Sequence, residues 1–322
     1  MNLNSTKLLF TSTMIVGVMV SSCSNNWFMI WSGIEISMMS FLPLFSSFNY
    51  LSSECMMKYF LIQSLSSSML LLGLILMLNN INSTLIILAS MMIKLGMSPF
   101  HNWMLVVMNG MSYMCNMILL TVMKIAPFII VNYLNLDLSI GIICSLLVGS
   151  ILGFNQMSFR MILGYSSIFN LSFICSCVNM TYIWTMYMLV YSFMLLSLSV
   201  FFQYLNLNYT NQFLMNEISL FNKISIWIVF LSMAGVPPMI GFFNKLMVIE
   251  YLINLDNMLL VTIMILSSLI ISYYYLQMMY LSLLMSCLNM KWMKIFLFKS
   301  ELILTISMFM GISFFLFTKI MM

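Results

Sequence analysis

The composition of the 322-residue chain excludes a water-soluble globular domain. Hydrophobic residues make up 63% of the chain and charged residues only 6%, whereas globular domains carry about 25% charged residues. The formal net charge of +4 is too small and too scattered to indicate a nucleic-acid partner. The seven cysteines show no Cys-x-x-Cys or His/Cys spacing, which argues against a zinc, iron–sulfur or haem site.

Apolar stretches of membrane-spanning length recur along the whole chain, a helix needing about twenty residues to cross a bilayer. We predict an all-α polytopic membrane protein with about eleven transmembrane helices in a single membrane domain, 1–322. A transmembrane β-barrel would instead show alternating polarity in segments of about ten residues. The predicted spans are 7–24, 27–46, 57–78, 84–108, 113–134, 138–154, 161–178, 181–204, 219–253, 258–285 and 301–319.

Basic residues near the span ends predict the orientation of the chain in the membrane. On the side of the N-terminus fall Lys7, Lys58, Arg160, Lys223, Lys291, Lys294 and Lys299. The opposite side holds Lys319 with Asp137 and Asp256. By the positive-inside rule the N-terminus faces the cytoplasm or the mitochondrial matrix, and an odd number of spans places Met322 opposite. Forty methionines indicate a biased codon pool, which favours synthesis in an organelle.

Four ionisable side chains interrupt the apolar spans at mid-membrane depth: Glu35, Lys94, Lys124 and Lys245. A charge at that depth costs roughly 2.5–3.5 kcal/mol on insertion scales, so intramembrane charges usually serve a function. A lysine that has lost its hydration releases its proton more readily, and histidine both donates and accepts protons near neutral pH. We therefore interpret the three lysines and His101 as stations of a proton relay.

Simpler interpretations stay open for these residues. His101 can be a hydrogen-bonded core residue, and Glu35 can neutralise a lysine for stability alone. A Glu–Lys pair can also act as a switch, because pairing keeps both groups charged and separation favours release of the lysine proton. Glu250 and Arg160 lie near span ends, where pairing or snorkelling at the interface is the expected role.

Two of the predicted spans, 84–108 and 219–253, are interrupted by glycine and proline. Proline removes a backbone donor and collides with the preceding turn, and unwound backbone persists in lipid only where protein or water satisfies it. The interrupting residues are Gly96, Pro99, Gly235, Pro237, Pro238 and Gly241, and Pro127 is expected to distort the Lys124 helix as well. Proline that merely kinks a helix is the alternative interpretation of each break.

The positions of the two breaks indicate two inverted repeats. Segments 7–134 and 138–285 each contain five predicted helices, with the break in the fourth helix of each. Paired Gly/Pro-interrupted helices in corresponding positions are the sequence pattern of a transporter site at a repeat interface. The segment 301–319 is then one additional C-terminal helix.

Motifs for redox or nucleotide chemistry do not occur in the sequence. It contains no Gly-x-Gly-x-x-Gly, no P-loop and no nucleophile elbow. We expect the chain to bind no NADH, flavin or ATP, so the energy for moving charge must come from a partner.

Five of the predicted spans carry short motifs that occur together in one known family. The motif residues are Trp31, Gly33, Glu35, Lys94, Gly96, Pro99, Phe100, His101, Lys124, Ala126, Pro127, Arg160, Ser166, Ser167, Ile168, Gly235, Pro237, Pro238, Gly241, Phe242 and Lys245. Together they resemble the antiporter-like membrane subunits of respiratory complex I, over essentially the whole chain. The family's larger members have three more helices at the N-terminus, which agrees with the count of about eleven spans.

The resemblance implies a proton-translocating subunit of an NADH:ubiquinone reductase that holds no redox site itself. In the family a glutamate and the broken-helix lysine form the pair that gates protonation, which assigns the pair to Glu35 and Lys94. The onward relay falls to His101, Lys124 and Lys245. The other membrane-arm subunits of complex I and lipids are the expected partners, together with protons and water.

The resemblance also implies where the cofactors and the protein lie. NADH, FMN, iron–sulfur clusters and ubiquinone are expected in partner subunits, with no cofactor or metal bound by this chain. The expected location is the mitochondrial inner membrane, with the N-terminus in the matrix and the C-terminus in the intermembrane space.

Several positions depart from the family pattern. The chain has Met161 after Arg160, where a basic residue is usual, and Asn170 where a histidine is usual. Asn244 and Leu246 flank the last relay lysine, where the family often has proline and tryptophan. Because Asn170 cannot titrate, a proton path near the seventh span must use water or a neighbouring side chain.

Two other functions fit the same sequence features. A stand-alone cation/proton antiporter would stay intact on purification and exchange Na⁺ or K⁺ for protons in liposomes. If the chain is a purely structural membrane spacer, replacing Lys94 or Lys124 by an apolar residue would leave pumping per NADH oxidised unchanged.

Overall fold

The computed structural model describes residues 5–45, 50–80, 82–134, 138–215 and 220–288. The predicted eleventh span, 301–319, lies outside these ranges, as do Asp137, Lys291, Lys294, Lys299 and Lys319. Within them the chain is α-helical, apart from turns and one isolated bridge between Ser158 and Tyr209. The predicted all-α class is confirmed for this part of the chain.

The described residues form α-helices that we number in chain order. They are α1 Ser5–Cys23, α2 Trp27–Phe41, α3 Tyr50–Leu78, α4 Thr84–Leu95, α5 Asn102–Gly110, α6 Tyr113–Leu120, α7 Val122–Leu134, α8 Ser139–Ile151, α9 Phe159–Ser176, α10 Thr181–Tyr204, α11 Thr210–Met215, α12 Leu220–Ala234, α13 Ile240–Asn254 and α14 Met258–Leu288. A short 3-10 helix, Leu42–Phe45, continues α2.

Six helical segments in the described ranges are long and apolar enough to cross a bilayer. They are Ser5–Cys23, Trp27–Phe45, Tyr50–Leu78, Tyr113–Leu134, Thr181–Tyr204 and Met258–Tyr280. The chain is therefore a multi-span apolar helical protein. Both spans predicted to be broken are divided, the first into α4 and α5 and the second into α12 and α13.

Two helices differ from the predicted spans in ways that the sequence explains locally. Helix α3 begins at Tyr50 rather than at residue 57, and an ion pair between Lys58 and Glu54 stabilises its first turns. The predicted span 113–134 is interrupted at Thr121, between α6 and α7. Pro127 lies inside α7 and supplies no N–H to the preceding turn. The helical path of this span is therefore irregular, as the proline predicted.

Contacts divide the chain into two compact units, the first ending at Ser145 and the second beginning at Leu146. In the first unit α1 and α2 approach closely through glycine. A Cβ on Gly17 would lie 2.8 Å from the carbonyl oxygen of Gly33, and a Cβ on Gly33 would lie 2.7 Å from the amide nitrogen of Ser21. Small residues let helix backbones meet in this way in membranes, which fixes the position of the Glu35 helix.

In the second unit α9 is the central helix. Every residue from Ile162 to Cys175 is buried, so the serines and Asn170 of this helix face other parts of the protein. Helix α9 is not among the six apolar segments, since its polar residues lower its hydropathy. A helix that carries polar groups and is enclosed on all sides places them where lipid cannot reach.

Candidate functional site

The first break ends α4 with a Schellman motif. Gly96 has φ +69°, its N–H donates to the Ile93 carbonyl at 3.1 Å, and the Met97 N–H donates to the Met92 carbonyl at 3.1 Å. Glycine adopts this left-handed conformation without steric cost. The motif ends the helix at Leu95, one residue after Lys94, and so places this lysine in the last turn.

The second break repeats the same backbone arrangement. Gly235 has φ +84°, its N–H donates to the Ser232 carbonyl at 3.2 Å, and the Val236 N–H donates to the Leu231 carbonyl at 3.2 Å. In both breaks a proline stands three residues after the glycine, Pro99 in the first and Pro238 in the second. The two helices α4 and α12 therefore end in the same arrangement at the glycine, and each helix end leaves carbonyls in need of a donor.

The two breaks satisfy these exposed carbonyls differently. In the first unit the Trp103 indole Nε1 donates to the Ile93 carbonyl at 3.0 Å. In the second unit the Lys245 ammonium donates to the Ala234 carbonyl at 2.8 Å and to the Met233 carbonyl at 3.3 Å. A neutral donor thus closes the first break, and a cation at the negative end of the helix dipole closes the second.

An enclosed cavity in the first unit brings two of the predicted relay residues together. Water-molecule centres fit into about 30 Å³ of it, which is enough room for one or two waters where polar groups are present. Its lining residues are Ile34, Ser37, Met38, Tyr59, Gln63, Lys94, Trp103, Leu119, Met123, Lys124, Ala126 and Pro127. The cavity can therefore hold water between two amines.

Both cavity lysines are buried. Lys94 is 6% exposed and Lys124 is 2% exposed. The Lys94 ammonium makes no ion pair within 4.0 Å to another described residue, and the Lys124 Nζ lies 3.6 Å from the Met104 sulfur. The cavity wall around Lys124 includes Ala126 and Pro127, so the distorted helix α7 contributes directly to this site.

Glu35 lies beside this site on α2 without lining the cavity. Its side chain is partly exposed, and its carboxylate makes no ion pair within 4.0 Å with Lys94. The Glu35 charge acts on both Lys94 and Tyr59 through space. The carboxylate and the amine are therefore close enough to interact but separated in this conformation.

His101 is placed by the break rather than by the cavity. It is 8% exposed, it precedes α5, and it interacts with the Pro99 backbone. Its Nδ1 atom is buried without a hydrogen-bond partner. A buried imidazole nitrogen without a partner can still bind a proton or accept a hydrogen bond.

Lys245 belongs to the second unit and is 7% exposed. Besides the two carbonyls of α12, its ammonium faces the ring of Phe169 at 5.4 Å from the centroid, a cation–π contact. The close packing of this break is visible at Gly241, where a Cβ would lie only 1.8 Å from the Ser232 carbonyl oxygen. Among the described residues no group of His, Cys, Asp and Glu suits a metal.

Sequence reasoning missed three polar side chains of the cavity: Ser37, Tyr59 and Gln63. Gln63 is a neutral amide inside the long apolar helix α3 and is 8% exposed. An uncharged polar residue carries a weak sequence signal, since such residues often bond to their own helix. Its spacing from Tyr59, one helical turn, was the available indication that both face one side.

Comparisons with known proteins agree with this architecture. The sequence model of the family described as NADH:quinone oxidoreductase/Mrp antiporter, TM, matches residues 24–272. NADH-ubiquinone oxidoreductase chain 2 of Anopheles gambiae is 34% identical over 302 residues, with 88% of each chain covered. The protein of the same name from Ailuropoda melanoleuca is 34% identical over 300 residues, covering 85% of this chain and 84% of the relative.

Solved structures share the fold at lower identity. A chain of respiratory complex I from Thermus thermophilus superposes with a TM-score of 0.82 at 16% identity, covering 96% of this chain and 78% of that one. A chain of the Mrp complex from Dietzia gives a TM-score of 0.74 at 16% identity, covering 84% and 59%. The family match and the relatives together show that the chain belongs to the NADH:quinone oxidoreductase/Mrp antiporter family of membrane subunits.

Proposed function

We propose that the chain is a proton-translocating membrane subunit of respiratory complex I. The observation that carries this proposal is the cavity shared by Lys94 and Lys124. Two amines that are nearly inaccessible to solvent and separated by room for water can pass a proton between them. The relatives named NADH-ubiquinone oxidoreductase chain 2 support the assignment to complex I.

In this proposal Lys94 and Lys124 are the central stations of the relay. Glu35 biases Lys94 electrostatically, and a small movement of α2 that closes or opens the pair switches the affinity of Lys94 for its proton. His101 exchanges protons with water at the first break. Lys245 is the corresponding station in the second unit, held by the carbonyl end of α12.

The proposed assembly supplies the energy for moving protons, because we expect no redox or nucleotide site in this chain. Moving one charge across the membrane takes roughly 2.3 kcal/mol per 100 mV, and NADH oxidation and ubiquinone reduction in partner subunits provide it. The other membrane-arm subunits of complex I are the proposed direct partners, and the NADH, FMN, iron–sulfur and ubiquinone sites lie in partner subunits of the complex. The protein lies in the mitochondrial inner membrane with its N-terminus in the matrix, and eleven crossings in two inverted repeats plus a final helix fit that orientation.

The decisive experiment replaces each cavity lysine in the assembled enzyme. Lys94→Met and Lys124→Met keep the length of the side chain and remove the amine. Reconstituted into liposomes, both variants should lower the rate of proton pumping by about a hundredfold, the lower end of what a positioned acid–base group contributes. Lys58→Met is the matched control, because Lys58 is half-exposed and paired with Glu54 outside the cavity.

The result that would overturn the proposal is full pumping per NADH oxidised in both cavity variants. That outcome would leave the chain with the role of a membrane spacer. Assembly is monitored by native electrophoresis, so that loss of pumping is scored only in enzyme that contains the subunit.

A stand-alone cation/proton antiporter is the second candidate. The shared fold with a chain of the Mrp complex favours it. An antiporter purified alone would exchange Na⁺ or K⁺ for protons across liposomes and would keep this activity without any redox partner. We expect the isolated chain to show no such exchange, measured with a pH-sensitive dye inside the vesicles.

A further inference from the structure

The second unit contains a cluster of buried tyrosine hydroxyls that the relay of lysines does not use. Tyr191 lies on α10, while Tyr274 and Tyr275 lie side by side on α14 with ring centroids 4.7 Å apart. All three side chains are buried. None of the three hydroxyls makes a direct hydrogen bond to another described residue.

These hydroxyls face one another and the polar side of α9. The Tyr275 hydroxyl interacts with the side chains of Ser166 and Tyr274. The Tyr191 hydroxyl interacts with Asn170 and with Tyr275. Each hydroxyl is therefore near polar neighbours but makes no direct hydrogen bond to another described residue. Leaving buried hydroxyls without a partner costs about 1–3 kcal/mol each.

Asn170 holds one end of this cluster in place. Its Nδ2 donates to the Ser166 carbonyl at 2.9 Å, and its Oδ1 accepts a hydrogen bond from the Tyr187 hydroxyl at 2.8 Å. The second lone pair of Oδ1 remains for Tyr191 or for water. Asn170 is thus a positioning residue, which orients hydroxyls without taking up a proton itself.

The tyrosine cluster adjoins a pocket, because Tyr274 belongs both to the cluster and to the lining of the pocket. Tyr274 lines a pocket of about 250 Å³ together with polar residues of the α8–α9 turn, the start of α11 and the C-terminal half of α14. The polar lining residues are Asn155, Gln156, Thr210, Asn211 and Gln277. The positive-inside rule assigns this side of the membrane to the matrix. Amide and hydroxyl groups of the lining can hold water beside the Tyr274 side chain, whose hydroxyl is itself buried.

We propose that this pocket and the hydroxyls of Tyr274, Tyr275 and Tyr191 form a water-bridged proton entrance into the second unit. A proton from pocket water binds a lone pair of the first hydroxyl, which passes its own proton to the next water or hydroxyl, so that one proton enters and one leaves. The path ends on α10, which packs against α13, the helix of Lys245. It replaces the titrating side chain that Asn170 cannot provide.

This inference rests on the proposed function, because Lys245 is its acceptor. The test compares Tyr275→Phe and Tyr191→Phe with Tyr273→Phe in the assembled enzyme in liposomes. Tyr273 is the matched control, since it neighbours Tyr274 on α14 but is 57% exposed. We expect the two buried variants to pump about tenfold more slowly, equivalent to one lost transfer step, and the control to pump normally.

A second readout separates proton transfer from packing. The Tyr275 hydroxyl makes no direct hydrogen bond to another described residue, so Tyr275→Phe leaves no protein group without its partner and should assemble fully with a nearly unchanged thermal midpoint. If the hydroxyl carries protons, its loss makes transfer rate-limiting and raises the D₂O isotope effect on pumping. A structural role alone would not change the isotope effect.

Chemical blockage tests the pocket. Two cysteine variants are compared, Asn211→Cys and Tyr209→Cys. Asn211 is an exposed lining residue at the start of α11, whereas Tyr209 is exposed, lies just before α11 and does not line the pocket. A charged thiol reagent should slow pumping in the first variant and not in the second. Normal pumping in both tyrosine variants and after labelling at residue 211, while Lys94→Met has lost pumping, would overturn the entrance and leave the proposed function intact.

Discussion

Some candidate site residues of the first unit can be predicted from the sequence, whereas others are recognised only from their contacts in the structure. Glu35, Lys94 and Lys124 were predicted as candidate relay residues because ionisable side chains are rare in apolar spans. Gln63 and Trp103 were not, because a neutral polar or aromatic residue is common in such spans and its role depends on the atom that it faces. Trp103 closes the first break by bonding to the Ile93 carbonyl.

The role of Trp103 gives a prediction about stability. Trp103→Phe keeps an aromatic ring but removes one of the two donors to the Ile93 carbonyl, which still accepts the Gly96 N–H, so the change should cost about 0.5–1.5 kcal/mol of stability. The thermal midpoint for release of the subunit from the assembled enzyme measures this loss. Trp27→Phe is the control, since the Trp27 indole makes no hydrogen bond to another described residue, and equal midpoints would contradict the role of Trp103.

Gln63 gives a prediction about transfer rather than stability. Gln63→Leu keeps the approximate shape and removes both polar groups from the cavity of Lys94 and Lys124. Because bridging water needs polar partners to stay in place, pumping should fall while assembly remains normal. Met69→Leu, a partly exposed position on the same helix, is the control. Unchanged pumping in Gln63→Leu would show that the cavity water needs no amide.

At the scale of the element, the broken helices were the strongest sequence signal and the best predicted part of the fold. Glycine and proline positions predicted both interruptions, since each residue has a specific backbone consequence. The interruption at Thr121 was not predicted at that residue, although Pro127 indicated distortion. The equivalence of the two Schellman motifs required the backbone itself, because Gly96 and Gly235 are flanked by different residues.

The left-handed glycines give a prediction about these elements. Gly96→Ala and Gly235→Ala should each destabilise the subunit by about 1–2 kcal/mol, because a Cβ is unfavourable at positive φ. Gly235→Ala should also slow pumping more, since its Cβ would lie 3.0 Å from the Lys245 Nζ. Ser68→Ala, at an exposed position within α3, is the control, because it changes no glycine of positive φ. Equal thermal midpoints in all three variants would contradict this account.

At the scale of the whole molecule, the sequence predicts least about which helices pack together. Hydropathy predicted an all-helical, multi-span chain, which the described residues confirm, but periodicity carries no information about which helices share a compact unit. The contacts place the division at Ser145 and Leu146, within α8. Two lysines meet in one cavity because α3, α4 and α7 pack together, which no local pattern encodes.

The orientation of the whole chain can be tested at its turns. With alternating crossings, the turns at Asn80 and Asp256 face the side opposite the N-terminus, and those at Asn155 and Asn211 face the side of the N-terminus. All four residues are exposed, so cysteine at each should react with an impermeant thiol reagent added from one side only. Labelling in mitoplasts should mark residues 80 and 256, and labelling in inverted vesicles should mark 155 and 211. Reaction of 155 and 256 from the same side would mean that α9 to α13 cross the membrane differently, and reaction of both in mitoplasts would mean that the pocket of Tyr274, which Asn155 lines, opens away from the matrix.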